Sequence, residues 1–427
     1  MKNLISFLMC LFVNLSIHAQ GNYIHTSGRH ILGPCGDTLL IQGVNYAPYN
    51  WGYLADELRL DQIAQSGANA VRLVWYTSNN AAPVYANLDA LDSAITRCTQ
   101  LGMIAIVELH DFTCSNDAAG LITGLSWWEQ PEVINLLDRN KESIIVNISN
   151  ESLYYNWGSN PAQSLSTYFS TYSTIISNLR AHPEFKFPLL IDAPDCGGSS
   201  DAFVTASTAA NLIATDPEQN LIFSTHTYWY AQTNNDSSLI YQRLANVCNA
   251  NIPLIAGEVA NSQDDTELCQ YALNYSAVIN SCNSLQMGWL IWCWDRDGCP
   301  DRQMSSDGNF AHLTTLGNDI LNNSNYGWTV HPPQKSKYLT TADCSLGNNA
   351  INDTRFNIQI SKSNNQLNLS STSTIQQIRL FDAQGKVYPI LPNGTNTYLS
   401  NELIPGIYFI QAQDSKGNSF HQKFLVN

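Results

Sequence analysis

Two apolar runs in this chain stop at a carboxylate. In "SIIVNISNES" the β-branched stretch 144–146 leads to Asn147, Asn150 and Glu151, and in "IPLIAGEVAN" the run from Ile252 ends at Glu258. Two carboxylates flanking a neutral substrate can cut a glycosidic bond: one holds a proton for the leaving oxygen, and the other stays ionised to attack or to activate water. Mutual repulsion helps, because it drives the two pKa values apart. A buried ion pair is the plainer explanation for either acid alone. With Lys and Arg together numbering 20 against 35 Asp and Glu, cationic partners are scarce.

Eight short apolar runs recur at intervals suited to a strand followed by a helix. They are "LLIQGVNY", "AVRLVWY", "MIAIVELH", "SIIVNISNE", "FPLLIDAP", "LIFSTHTY", "IPLIAGEV" and "GWLIWCW". Helical patterns fill the gaps, as in "NLDALDSAITRCTQLG", where Gly102 marks a C-terminal stop. Continuous apolar strands alternating with helices indicate a parallel sheet covered on both faces, and eight units indicate a (β/α)8 TIM barrel. The glycine-rich phosphate turn of an open doubly wound sheet is missing after the first run. Barrel active sites gather at the C-terminal ends of the strands. Those ends carry Arg72, His110, Asn150, Glu151, His226, Tyr228, Glu258, Trp292 and Trp294, whereas the other ends carry almost nothing polar.

His226 and Tyr228 alternate with Thr225 and Thr227, so both point to one side of the sixth strand. Asn147 and Asn150 open the sequon matches "NIS" and "NES", but a barrel mouth is a poor place for a glycan. Aromatics crowd the same rim: Tyr46, Tyr49, Trp51, Trp75, Trp127, Trp128, Tyr155, Trp157, Trp229, Trp292 and Trp294. Core packing is the default role of such residues; at strand ends they also offer flat faces on which sugar rings stack.

Composition narrows the partners. A formal net charge of -15 disfavours nucleic acid and anionic membranes and favours a neutral ligand such as a polysaccharide. The start "MKNLISFLMCLFVNLSIHAQ" has a basic residue, a short apolar run and Ala19, the pattern of a signal peptide over 1–19; its run is too short for a membrane span. Removing Cys10 with it leaves ten of the eleven cysteines, which in an exported chain permits disulfides. Cys293 and Cys299 bracket a loop and offer a local staple, while the sequence leaves the connectivity, and free thiols, open. No cysteine or histidine spacing suggests zinc, and no cofactor or metal is expected. The composition changes after Pro332 and Pro333, placing the catalytic domain at 20–340; alternating runs such as "IRLFDAQGKV" and "GIYFIQAQD" then predict a small all-β sandwich over 345–427.

With these residues assembled, the region from about residue 35 to 328 resembles glycoside hydrolase family 5. The motifs "SGANAVRLVW", "IVELHD", "IIVNISNES", "FSTHTYWY", "PLIAGEV" and "GWLIWCW" follow that family's strand motifs in order. The resemblance implies a retaining mechanism with Glu151 as acid/base and Glu258 as nucleophile. It also implies that Asn150 contacts the 2-hydroxyl, that Tyr228 and Arg72 support the nucleophile, that His110 and His226 line the site, and that Trp292 forms a platform. "VELHD" and "GWLIWCW" are most similar to bacterial β-mannanases, so endo-β-1,4-mannanase activity is expected, with endo-β-1,4-glucanase activity or polysaccharide binding without cleavage as alternatives. Ser152 replaces the proline that often follows the Asn-Glu pair, and Val259 with Ala260 replaces the common Phe-Gly. The tail resembles the C-terminal sorting domain of the type IX secretion system, which implies that machinery as a partner and a secreted protein, extracellular or attached to the cell surface; a monomer is expected. Carboxyl groups about 5 to 5.5 Å apart would fit retention, and a gap of about 6.5 to 9.5 Å inversion.

Overall fold

In the computed structural model the described residues are 23–48, 58–77, 87–341 and 344, with 358–363, 366–371, 375–382, 386–392, 397–400, 403–404, 406–414 and 419–426 in the C-terminal segment. The expected leader at 1–19, with Cys10, and the rim aromatics Tyr49 and Trp51 lie outside them. A short antiparallel hairpin of β1 (His25–Ser27) and β2 (His30–Leu32) comes first. Eight parallel strands then close on themselves: β3 (Gln42–Tyr46), β4 (Ala70–Trp75), β5 (Ile104–Leu109), β6 (Ile144–Asn147), β7 (Leu189–Asp192), β8 (Leu221–His226), β9 (Leu254–Val259) and β10 (Gly288–Ile291). The (β/α)8 barrel expected from the eight apolar runs is therefore the fold observed.

Alternation along each strand sorts its side chains. In β4, Val71, Leu73 and Trp75 face the surrounding helices and join the main core, while Ala70 joins an interior layer with Ile41, Ile104, Ile106, Ile145, Leu190, Ile222, Ile255 and Leu290. The helices are seated by ordinary caps. Leu88–Gln100 starts where Asn87 accepts from the Ala90 amide, and Gly102, at φ 74°, lets the chain turn away at its end.

Several predicted strands stop short. The fourth ends at Asn147 rather than Glu151, the fifth at Asp192, the sixth at His226 and the eighth at Ile291. Glu151 is thus a loop residue, with φ 51° in the left-handed region. Glu258 does lie in its strand, and a register shift aims it. β8 pairs Thr225 with Ala256 but His226 with Glu258, so Gly257 is bulged out and Glu258 turns into the barrel on the side of Ile255. A Cβ on Gly257 would meet Ser224 Oγ at 2.2 Å, which explains the glycine there.

The chain divides into two compact units, 1–344 and 345–427. Within the second, β11 (Ile358–Ser363), β12 (Gln366–Ser371), β15 (Ile390–Pro392) and β16 (Thr397–Ser400) form one antiparallel sheet. β13 (Ile375–Asp382), β14 (Val387–Tyr388), β17 (Gly406–Asp414) and β18 (Ser419–Val426) form the other. Leu369 from the first sheet packs with Ile410 and Ala412 from the second, so the two are layered as a sandwich. The strand Thr397–Ser400 has no counterpart among the predicted runs. No helix among the described residues is long and apolar enough to cross a membrane.

Disulfides join Cys35 to Cys344, Cys114 to Cys196 and Cys269 to Cys299. The local Cys293–Cys299 staple is not formed: Cys293 is a free, buried thiol and Cys299 reaches across to a different loop.

Candidate active site

A cleft of about 1280 Å³ opens at the C-terminal end of the barrel. Six of the predicted residues line it: His110, Asn150, Glu151, Tyr228, Glu258 and Trp292. Arg72 and His226 lie directly beneath, both fully buried.

Arg72 organises the floor. Its Nε donates to Asn147 Oδ1 (2.8 Å), Nη1 to Asn45 Oδ1 (3.0 Å) and Glu258 Oε1 (3.0 Å), and Nη2 to Asn150 Oδ1 (2.6 Å) and, more loosely, Asp192 Oδ2 (3.4 Å). Burial alone would lower its pKa, but Glu108, Asp192, Glu258 and Glu151 surround it and raise it, so the guanidinium keeps its charge. The planar fork explains why arginine suits this place: one side chain fixes several acceptors at once.

His226 joins the two acids. Its Nδ1 lies 2.6 Å from Glu151 Oε1 and 3.4 Å from Glu258 Oε1, and its Nε2 is 3.6 Å from Asp192 Oδ2. Burial lowers the imidazole pKa, but Glu258, Asp192 and Glu151 outweigh it and push it up to about 9. The 2.6 Å contact places a proton between His226 Nδ1 and Glu151 Oε1. Ligating atoms of Glu151, His226 and Glu258 all lie within 4.8 Å of one another, so the two carboxylates do meet.

Each acid has its own support. Glu151 receives its backbone position from Asp192, whose Oδ2 accepts the Glu151 amide at 3.2 Å. Its Oε2 lies 3.5 Å from the Cys114 sulfur, which is bonded to Cys196 and has no proton to give. Glu258 Oε2 accepts the Tyr228 hydroxyl at 2.7 Å, and that hydroxyl in turn accepts from Arg302 at 2.9 Å. Asn150 is held from both ends, by Arg72 and by a bond from its Nδ2 to Thr113 Oγ1 (3.0 Å), leaving it facing the cleft. His110 rests on Glu108 (3.1 Å) and stacks near Trp292, centroids 6.1 Å apart; burial lowers its pKa, but Glu108 makes the net shift upward. The Trp292–Cys293 peptide is cis.

Two expectations about aromatics are corrected. Trp294 is fully buried with its indole N–H donating to the Gly308 carbonyl at 3.0 Å, and takes no part in the cleft. Trp75, Trp128, Trp229 and Tyr46 likewise belong to the helix-facing core. Trp157, 56% exposed, and Trp292 do line the cleft. Glu108, Asp192 and Arg302, which support the site, were not anticipated; Glu108 and Asp192 could have been found, being strand-end acids of the same kind as Glu258.

The Glu151, His226 and Glu258 cluster has donors of the kind that bind cations, but its 2.6 Å contact is a hydrogen bond around a proton. The second close group, Cys114, Glu151 and Cys196, offers no thiolate because its cysteines are paired.

The sequence profile described as Cellulase (glycosyl hydrolase family 5) matches residues 36–298, more than half of the chain. The chain belongs to glycosyl hydrolase family 5. This family 5 member is accordingly a glycoside hydrolase. It is 25% identical over 328 residues to a mannan endo-1,4-beta-mannosidase of Cellvibrio japonicus, covering 76% of this chain and 71% of that one. A protein of the same name from Streptomyces lividans is 27% identical over 317 residues, 72% of this chain and 76% of its own. In fold, the family 5 barrel is similar to a beta-mannanase from Thermomonospora fusca, with a TM-score of 0.63, 23% identity, and coverage of 75% of this chain and 100% of that structure.

Proposed function

We propose that this glycoside hydrolase is a secreted, retaining endo-β-1,4-mannanase. The observation that carries the mechanism is the pair Glu151 and Glu258, bridged by His226 with ligating atoms within 4.8 Å. Acids this close fit the about 5 to 5.5 Å separation of a retaining pair better than the about 6.5 to 9.5 Å that lets an inverting pair hold a water between its carboxyl groups. The substrate class is supported by the names of the two relatives.

In the reaction, Glu258 attacks the anomeric carbon as the bond to the leaving oxygen breaks, and Glu151 gives that oxygen its proton. Water then attacks the glycosyl ester, Glu151 takes its proton, and Glu258 is released. Arg72 and Tyr228 hold Glu258 aimed by donating to both of its oxygens. His226 holds a proton 2.6 Å from Glu151. Asn150 presents its amide to the sugar hydroxyl next to the scissile carbon, and His110, Trp292 and Trp157 furnish the walls on which the chain rests.

The test is reducing-end release from mannan, glucomannan, carboxymethyl cellulose and mixed-linkage glucan, with Glu258→Gln as control and the product anomer followed by NMR. Cleavage of pure mannan with retained configuration is expected. Activity confined to the glucans would favour the endo-glucanase alternative that the family's name keeps open. Binding without cleavage by the unmodified protein would make the barrel a polysaccharide-binding module.

The unit at 345–427 acts, in this proposal, as a type IX secretion sorting domain, the barrel at 20–340 as the catalytic domain, and 1–19 as a signal peptide. Support comes from the tail's resemblance to such domains and from its two layered sheets. Deleting 345–427 should trap the protein inside a type IX-competent host; unchanged export would sink this part.

A further inference from the structure

Beyond the last barrel strand, residues 292–303 curl into a tight loop that brings an arginine back to the cleft. The Cys293 amide donates to the Arg302 carbonyl (2.9 Å), the Arg302 amide to the Cys299 carbonyl (3.0 Å), and the disulfide to Cys269 pins the turn. Arg302 is only 3% exposed. Its Nη2 donates to the Tyr228 hydroxyl at 2.9 Å, and its guanidinium carbon lies 5.1 Å from the centre of the same ring. Its Nε is 3.5 Å from Asp297 Oδ1, and Asp297 Oδ2 accepts the Trp292 indole N–H at 2.5 Å. One ion pair therefore touches the partner of Glu258 on one side and the aromatic wall on the other.

We propose that Arg302 and Asp297 are a positioning pair for the reaction, Arg302 orienting Glu258 through the Tyr228 hydroxyl and Asp297 fixing the Trp292 indole. The inference rests on Glu258 being the nucleophile.

A phenol has one proton and accepts through its lone pairs. Arg302 takes the accepting side, so the proton is directed at Glu258 Oε2, and a charged donor behind the hydroxyl strengthens that bond. The relay thus ends on Glu258 as an acceptor. Other charges surround Glu258, directly or through Arg72 and His226: Arg72 from β4, Glu108 from β5 with His110 just after it, Glu151 after β6, Asp192 from β7 and His226 from β8. Arg302 differs from them in acting from outside the barrel, through a neutral group, and with a second link to the sugar's stacking surface. Asp297 makes that link stiff, since its Oδ1 also accepts the Cys299 amide at 2.7 Å.

The experiment is a pH–rate profile of kcat/KM on mannan for the full chain and for Arg302→Met, Arg302→Lys and Asp297→Ala, with melting temperature as a folding check. Arg302→Met should lower kcat/KM on the order of 10²-fold through misplacement of Glu258. It should also move the acidic limb up by about one pH unit, because Glu258 holds its proton more tightly. Arg302→Lys should restore most of the limb but not kcat, since lysine keeps the charge and loses the planar contact with the ring. Asp297→Ala should raise KM several-fold with the limb unmoved. An unshifted limb in Arg302→Met overturns the proposal; if that variant does not fold, unchanged kcat in Arg302→Lys together with unchanged KM in Asp297→Ala overturns it. Labelling of the unmodified protein by a 2-deoxy-2-fluoro-mannosyl fluoride separates the two levels. A label on Glu258 with flat variant profiles removes only the positioning pair, whereas a label elsewhere removes the nucleophile assignment and the pair with it.

Discussion

The inward-facing residues of the barrel change character from one layer to the next. Deep in the barrel they are Ile106, Ile145, Leu190 and Ile222; two positions further along the same strands they are Glu108, Asn147, Asp192 and Ser224, with His226 above. The lower layer has nothing to satisfy and holds by exclusion of water and close packing. The upper layer contains Arg72, Glu108, Asp192, His226 and Glu258, all nearly or wholly buried, and stands only because each charge meets another. The same backbone thus carries a layer that stabilises and a layer that is costly alone. Replacements in the first should act on stability alone, and replacements in the second on the reaction or its pH dependence, with a loss of stability as well wherever buried charges are left unpaired.

Four substitutions test that division, in descending order of effect. Glu258→Gln should remove turnover by at least about 10³-fold while melting and oligosaccharide binding stay near normal, because an amide keeps the shape and loses the nucleophile. Arg72→Met should damage both, leaving Glu258, Asp192 and Glu108 without their shared cation; a stability loss of about 3 to 5 kcal/mol, measured by denaturant titration, is expected together with loss of activity. Ile106→Ala, in the aliphatic layer, should cost about 2 to 5 kcal/mol of stability. Below its melting transition it should keep kcat within a small factor, and a large fall in kcat with unchanged stability would break the comparison.

The smallest effect is one of pH. His226 has its folded pKa raised from 6.5 to about 9, so it favours the folded state fully below pH 6.5, and that contribution is lost as pH rises through about 9. Asp192→Asn removes one of the carboxylates responsible. The alkaline fall in melting temperature should therefore still begin near pH 6.5 but level off roughly one pH unit lower than in the unmodified protein. An unchanged alkaline limb would mean that Glu151 and Glu258 suffice to hold the proton on His226.

How much of this was legible in the sequence depended on parity. Eight apolar runs announced the barrel, and Glu151 and Glu258 announced themselves by ending two of them. Counting alternate residues inward from Ile106 would have reached Glu108 and His110, and from Leu190 would have reached Asp192. The same count fails for Glu258, which faces inward only because Gly257 is bulged, and no periodicity encodes a bulge. Trp294 was misplaced because "GWLIWCW" reads as one strand, whereas the strand stops at Ile291 and the chain turns so that this indole returns to the core. Arg302 and Asp297 lie in a loop whose shape depends on Cys269, thirty residues away from Cys299 in sequence, and such pairings leave no local pattern.

The bond between Cys35 and Cys344 closes the barrel covalently. It joins a residue seven positions before β3 to the last residue of the first unit, so every barrel strand lies within one covalent ring. A protease cutting after that residue severs the second unit and leaves the ring whole. A load applied through the tail would likewise be borne by the clasp between the barrel's two ends before any strand was peeled away. An enzyme built this way can be tethered, pulled or trimmed at its C-terminal side while the geometry of its catalytic floor is left undisturbed.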